Sequence, residues 1–350
     1  MIRALTILVL CVMSAVVEAR EADGTLGLLI TPNNGVPVIT AGEDFSVLTR
    51  AESALALVGE AGQRYALKVE WSFMVGEKVQ GRVSLPANCP GGVYALEATA
   101  GTVTDRNARS VWVVASYPPQ YRIAHVSDTH IGKEREGHLP SVVVNEQIRD
   151  AVNASAASFV LITGDLTEQG EGQQFQEFIT VLDGYTKPTF VTPGNHDRKD
   201  LNYEAYFGPL QYRFDFGEDA YLAFDTKDMM TADSLGAQDG FLQLERRAMK
   251  AARWSIGFSH RYEPVMGMRS QMALFIDNPL HYLLFGHWHQ ENTAEQKTVP
   301  WGTTIISVVP AAVNGAWRPI DVGVQGLLFH PVESVVPVAN VLPAEVEAAE

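Results

Sequence analysis

The chain has 350 residues, with 41 acidic and 26 basic side chains and a formal net charge of −15 at pH 7. That length accommodates two domains, and the acidic balance leaves no basic stripe for a nucleic-acid backbone. With only Cys11 and Cys89, the chain is no disulfide scaffold.

Residues 1–19 read as a secretory signal peptide. Arg3 supplies a positive start, residues 4–17 form an uncharged run of 14, and Val17-Glu18-Ala19 ends in a small residue. Fourteen residues fall short of the roughly 17–25 that span a bilayer. Cleavage after Ala19, a secreted or periplasmic mature chain and no stable transmembrane anchor are therefore expected. Cleavage removes Arg3 and Glu18 together, so the charge stays at −15. It also leaves Cys89 as the sole cysteine, without an intrachain partner.

Residues 20–116 carry short β-rich runs (LGLLIT, DFSVLTR, YALKVEW, VQGRVSL, GVYALEA and SVWVVA), parted by turn signals such as Pro32-Asn33-Asn34-Gly35 and Pro90-Gly91-Gly92. About seven strands in ~100 residues suggest an all-β immunoglobulin-like sandwich, with Trp71 and Trp112 filling its core. A weak helical pattern near 51–58 is the exception. The partner of this domain is not identified by sequence, and no site residue falls within it. Residues 117–120, with Pro118-Pro119, read as a stiff linker.

Over 121–335 the rhythm changes to strand, loop, helix. Strand-like runs RIAHVS, SFVLIT, TFVTP, YRFDF, YLAFDT, WSIGFS, YLLFGH and TTIISVV alternate with helical patterns near 139–154, 171–183, 239–252 and 269–276. The alternation predicts an α/β domain of mixed sheets flanked by helices. YRFDF and YLAFDT read as an antiparallel pair. Residues 336–350 form an acidic tail.

Five of the strand-like runs end on residues that ligate metals: Asp128 and His130, Gly164-Asp165, Gly194-Asn195-His196-Asp197, His260, and Gly286-His287-Trp288-His289. In α/β proteins ligands bind at the carboxyl ends of strands, and carboxylates, imidazoles and one amide on one rim suit transition metals. The i, i+2 spacing in Asp128/His130 and His287/His289 lets two side chains leave an extended backbone on the same side.

These motifs, in this order over roughly 121–310, resemble the calcineurin-like metallophosphoesterase family. The resemblance implies a mixed β-sandwich flanked by helices. It also implies two transition-metal ions, iron, manganese or zinc, one held by Asp128, His130 and His289 and the other by Asn195, His260 and His287. Asp165 would bridge them. A metal-bridging hydroxide would attack phosphorus in line, His196 would point at the substrate oxygens and assist the leaving group as acid or hydrogen-bond donor, and Asp197 would orient His196. Two divalent ions, two carboxylates and one hydroxide leave about +1 at the site, which attracts phosphate despite the acidic chain.

Subtype marks narrow this reading. Glu168 stands where purple acid phosphatases carry a tyrosine, three residues after the bridging aspartate, and the arginine of a GDxxDRG motif is missing. The chain looks most like the broad bacterial group that includes cyclic-nucleotide and glycerophosphodiester phosphodiesterases, which implies a phosphodiesterase or phosphatase acting on a small-molecule or lipid-derived phosphate ester. The alternatives are a binding or scaffolding protein with a residual catalytic domain, or a metallonuclease. Intact ligands argue against the first and the acidic surface against the second. His125 and His281 read as sheet histidines, Trp288 as packing, and His138 and Glu168 carry no assignment.

Overall fold

The computed structural model describes residues 24–75, 78–225, 239–261, 272–276, 278–290 and 303–335. The expected leader at 1–19 and acidic tail at 336–350 lie outside the described residues. No helix among the described residues is long and apolar enough to cross a membrane.

The first 90 or so described residues are all β. The strands are β1 (Leu29–Thr31), β2 (Val38–Thr40), β3 (Asp44–Thr49), β4 (Ala54–Gly59), β5 (Arg64–Ala66), β6 (Lys68–Val75), β7 (Lys78–Ser84), β8 (Gly92–Ala100) and β9 (Val103–Val114). They make two sheets, ordered β1-β3-β7-β6 and β2-β9-β8-β4-β5. Alternation produces the burial: Phe45, Val47 and Thr49 of β3 point inward while Asp44 and Ser46 are exposed. Leu29, Phe45, Val47 and Val83 of one sheet pack in a single cluster with Leu57, Leu96, Ala98 and Val111 of the other.

Two expectations for this region are corrected. The weak helical pattern near 51–58 is strand β4, antiparallel to β8 with Leu57 opposite Leu96. Its period-two burial of Leu55 and Leu57 overrides the local helical signal. Trp71 packs against the sandwich core, but Trp112 does not. It joins Val36, Val38, Phe159 and Phe190 in a different cluster, shared with the following region.

That region contains β10 (Tyr121–Val126), α1 (Ser141–Ala154), β11 (Ala157–Thr163), α2 (Gly172–Asp183), β12 (Thr189–Thr192), α3 (Asn202–Phe207), β13 (Tyr212–Phe216), β14 (Asp219–Ala223), α4 (Asp239–Ala248), β15 (Ser255–Phe258), β16 (Tyr282–Phe285), β17 (Ile305–Val308), β18 (Ala316–Gly323), β19 (Gly326–Phe329) and β20 (Glu333–Ser334). One sheet runs β12-β11-β10-β18-β19, with β20 added to β18, and the other runs β13-β14-β15-β16-β17. β10, β11 and β12 are parallel, as are β14 to β17. Antiparallel β18 and the β13–β14 hairpin make both sheets mixed. Near 269–276 the described part is a single π-helical turn, Met272–Ile276.

The layering follows from strands that are apolar on both faces. Ile123, Phe159, Leu161 and Phe190 meet Tyr221, Ile256, Phe258 and Leu284 between the sheets. On the outer side of the first sheet Val126, Val160 and Ile162 cover Ile148 and Val152 of α1 and Phe175 and Phe178 of α2. Leu222, Leu283 and Phe285 of the second pack on Leu242 of α4 and on Leu274 and Phe275. Each fully buried side chain of this size contributes roughly 1.5–3 kcal/mol.

The two regions are stitched at the edge of β12. Val191 N–H donates to Asn34 O at 2.6 Å, and Gly35 forms an antiparallel bridge with Phe190. Tyr212 also donates to Asn34 O (3.1 Å), and Asn34 donates to Pro209 O (2.5 Å). The Arg109 guanidinium reaches Leu182 O and Lys187 O at 2.9 and 3.0 Å.

Candidate metal centre

Every motif named from sequence sits just past the carboxyl end of a parallel strand: Asp128 and His130 after β10, Asp165 after β11, Asn195 to Asp197 after β12, His260 after β15, and His287 and His289 after β16. The loops are laced together by backbone bonds. Asp128 N–H donates to Gly164 O, His130 N–H to Asp165 O, Ile131 N–H to Leu166 O and Gly286 N–H to His260 O, all within 2.9–3.0 Å.

Two glycines allow this crowding. A Cβ on Gly194 would lie 2.0 Å from Asp165 Oδ1, and one on Gly286 would lie 1.7 Å from Ser127 Oγ and 2.3 Å from Asp128 Oδ2. Five of the seven expected ligands adopt left-handed backbone: Asp128 (φ 55°), His130 (43°), Asp165 (48°), His287 (70°) and His289 (53°). Non-glycine residues avoid this region, and such strain clusters at functional sites.

The side chains converge in three overlapping groups whose ligand atoms lie within 4.8 Å of one another. They are Asp128, His130 and His289; His130, Asp165 and His196; and Asp165, His260 and His287. Asp165 belongs to two of them, its Oδ2 being 3.0 Å from His260 Nε2 and 3.8 Å from His130 Nε2. Asn195 is half-buried, and its Oδ1 accepts no hydrogen bond among the described residues. Asp128 Oδ2 accepts the His287 N–H at 2.9 Å, while its buried Oδ1 accepts no such bond. Buried acceptors without donors, beside imidazole nitrogens, fit cations with mixed N/O preference.

Second contacts fix the imidazoles. His260 Nδ1 donates to Thr163 O at 2.8 Å, turning Nε2 toward Asp165. His287 presents Nδ1 to His260 Nε2 at 3.2 Å and has its Nε2 3.3 Å from Arg261 Nη1. Burial opposes charge on His260, but the Asp165 and Asp128 carboxylates outweigh it and hold the ring up to about 9. Burial, then His260 and Arg261, presses His287 down to about 4. Burial also opposes charge on Asp165, yet His260, His130 and His196 hold it well below the usual carboxylate range.

His196 and Asp197 do not form the expected pair. The fully buried Asp197 carboxylate accepts from Leu166 N (3.0 Å), Thr167 N (2.9 Å), Thr167 Oγ1 (2.8 Å) and Gly194 N (2.8 Å). It therefore clamps the Asp165 loop to the Asn195 loop. The His196 ring is oriented instead by Glu168, whose carbonyl lies 2.6 Å from Nδ1. Glu168 Oε2 is also 2.7 Å from His130 Nδ1, off the axis of the ring N–H. The sequence alone assigns Glu168 no role; its one signal is its place three residues after Asp165, where purple acid phosphatases carry a tyrosine.

The remaining neighbours are structural or peripheral. His125 is fully buried against Thr163 Oγ1 (2.9 Å) and is pushed down to about 3 by burial and then Arg318. His281 Nδ1 accepts the Ser255 N–H at 3.0 Å across the sheet. Arg198 is paired with Asp225. Trp288 stands edge-on to His287 and is 48% exposed, so packing uses only part of the ring.

Comparison with known proteins agrees with this geometry. Residues 121–291 match the family model of the calcineurin-like phosphoesterases. A protein of Rhodopseudomonas palustris named "Probable cyclic nucleotide phosphodiesterase" is 25% identical over 199 residues, covering 50% of this chain and 65% of that protein. The match thus spans just under two thirds of that relative. A Vesicomyosocius okutanii protein of the same name is 25% identical over 208 residues, covering 55% and 88% of the two chains. Among solved structures, a purple acid phosphatase from yellow lupin seeds aligns over 91% of this chain and 79% of its own, at 12% identity and a TM-score of 0.48. Residues 121–291 of the chain thus form a calcineurin-like phosphoesterase domain.

Proposed function

We propose that the chain is a binuclear metal-dependent phosphodiesterase for small diesters, with cyclic nucleotides as the first substrate class to test. The observation that carries the reading is Asp165, a buried carboxylate shared by two clusters of metal-ligand side chains. One cation would take Asp128, His130 and His289, the other Asn195, His260 and His287, with Asp165 common to both. When bound, such a pair lowers the pKa of water and neutralises phosphoryl oxygens. The names of the relatives support a cyclic diester over a monoester.

The chain's own residues supply the rest. His196 Nδ1 faces a carbonyl, which accepts a proton but has none to give. Proton exchange is therefore confined to Nε2, 3.9 Å from Asp165 Oδ2. From there His196 donates to the leaving oxygen. Asp197 keeps the two loops in register, so that Asn195 and Asp165 face one another. Export directed by residues 1–19 belongs to the same proposal, and the mass of the mature N-terminus checks it.

The test is an assay panel on metal-loaded protein: a cyclic nucleotide, bis-nitrophenyl phosphate, a glycerophosphodiester, nitrophenyl phosphate and duplex DNA. Turnover of the diesters over the monoester and DNA is expected. Preference for the glycerophosphodiester would move the substrate to lipid-derived esters. Turnover of the monoester alone would overturn the diesterase reading.

A further inference from the structure

We infer that Glu168 is a positioning residue for both histidines that flank Asp165, acting through its carboxylate on His130 and through its carbonyl on His196. The inference rests on the two-cation reading above. Glu168 is well placed for the task, because its own N–H donates to Ile131 O at 3.0 Å and Thr167 bridges Ile131 in parallel. These bonds bring the loops after β10 and β11 side by side. The Glu168 side chain is only 24% exposed and lies between an imidazole and an ammonium, with His130 Nδ1 2.7 Å from Oε2 and Lys133 Nζ 3.5 Å from Oε1.

The consequence for His130 is a choice of nitrogen. A carboxylate beside Nδ1 stabilises the proton there, so the lone pair is left on Nε2. Nε2 is the atom that faces the cluster, 3.1 Å from His289 Nε2 and 3.8 Å from Asp165 Oδ2. The carboxylate also makes the ring a stronger donor to a cation. On the other side, the carbonyl of the same residue fixes the His196 ring at 2.6 Å. One residue thus couples a ligand of the first cation to the proton donor, and only the first of these contacts depends on its side chain.

This separation dictates the experiment. Zinc(II) is titrated into the metal-free full chain by calorimetry, and histidine tautomers are read from nitrogen-15 spectra. In Glu168→Ala one of the two equivalents should bind up to about 100-fold more weakly, and in Glu168→Gln about 10-fold, because Gln keeps an acceptor of the same shape without the charge. The other equivalent should be unchanged. The His130 Nδ1–H tautomer should be mixed in Glu168→Ala, while His196 stays Nδ1–H in both variants. Thermal melting identifies any variant that fails to fold, and Glu168→Gln carries the test if Glu168→Ala does not fold. Wild-type affinity at both equivalents in folded Glu168→Gln, or equal weakening of both, overturns the role of Glu168. Failure of the wild-type chain to bind two equivalents overturns the underlying two-cation reading instead.

Discussion

The sandwich core and the floor of the metal centre handle buried charge in opposite ways. In the sandwich each buried carboxylate has its own donor: Glu97 meets Arg64 at 2.5 Å, and Asp105 accepts the Leu29 N–H at 2.7 Å. At the metal centre Asp128, Asp165, His130 and His260 are all buried and share one another as partners. Backbone geometry divides the same way. Among the described residues the sandwich has one left-handed non-glycine residue, Arg109, against five at the centre. Local pairing is what a fold needs for stability. Shared pairing and strained backbone, at about 1–3 kcal/mol per residue, are the marks of a region shaped for a ligand.

The contrast is tested most severely at Asp165. Asp165→Ala should lose both metals or nearly all turnover, because its carboxylate belongs to two clusters. Elemental analysis showing two equivalents, together with full activity, would overturn that assignment. Removing the sandwich comes next. Residues 20–116 contain no expected ligand, so on sequence grounds a chain beginning near Tyr117 reads as self-sufficient. Yet Val36, Val38 and Trp112 share a cluster with Phe190, and Asn34 closes the edge of β12. We therefore expect this shortened chain to aggregate, with loss of a cooperative melt. If it melts cooperatively, binds two metals and cleaves a small chromogenic diester, the two regions are independent.

His196→Ala should keep both metals and lower turnover about 10²–10⁴-fold. The loss should shrink for nitrophenol esters, whose leaving group needs little protonation, and equal loss for all esters would point to positioning alone. Leu96→Ala, in the sandwich core, should cost about 2–5 kcal/mol of stability and leave the metal stoichiometry intact. Changed stoichiometry in the folded variant would show that the sandwich reaches the site energetically.

The smallest effect concerns a carboxylate–cation pair near the surface. The Arg122 guanidinium holds Asp321 down to about 2. A depressed folded value means that the stabilisation is present above the unfolded value near 3.8 and is lost as pH falls through about 2. Both side chains are about one-third exposed, so solvent screens the pair and the effect is small. Asp321→Asn should flatten this part of the melting profile. An unchanged profile would assign acid sensitivity to other carboxylates.

Much of this was legible because the strands of the catalytic region are continuous apolar runs that stop abruptly at ligand residues. The runs before Asp128, Asp165 and His287 needed no tertiary information to be found, and their common rim follows from parallel strands. What stayed hidden depends on which loop faces which. Asp197 follows His196 in sequence, but its carboxylate turns to the Asp165 loop, and the carbonyl that holds His196 belongs to Glu168. Trp112 sits in a run, Ser110 to Val113, that is buried on both faces, and the run does not say what covers each face. At 54–59 a strand pairing outweighed local helical propensity.

The contact between Asn34 and Val191 also bears on how the chain reaches its native state. The partners are 157 positions apart, from 191 − 34, and the motif residues run from 128 to 289. Pairings at such separation form slowly, because a long loop must close before the contact returns any free energy. During synthesis the sandwich strands can pair among themselves, but the segment at 34–35 has no strand to dock against until β12 has emerged. His287 and His289 come later still. In the two-cation reading, metal uptake would report the end of folding, and a chain stalled short of residue 286 would carry a finished sandwich and five of the seven expected ligands.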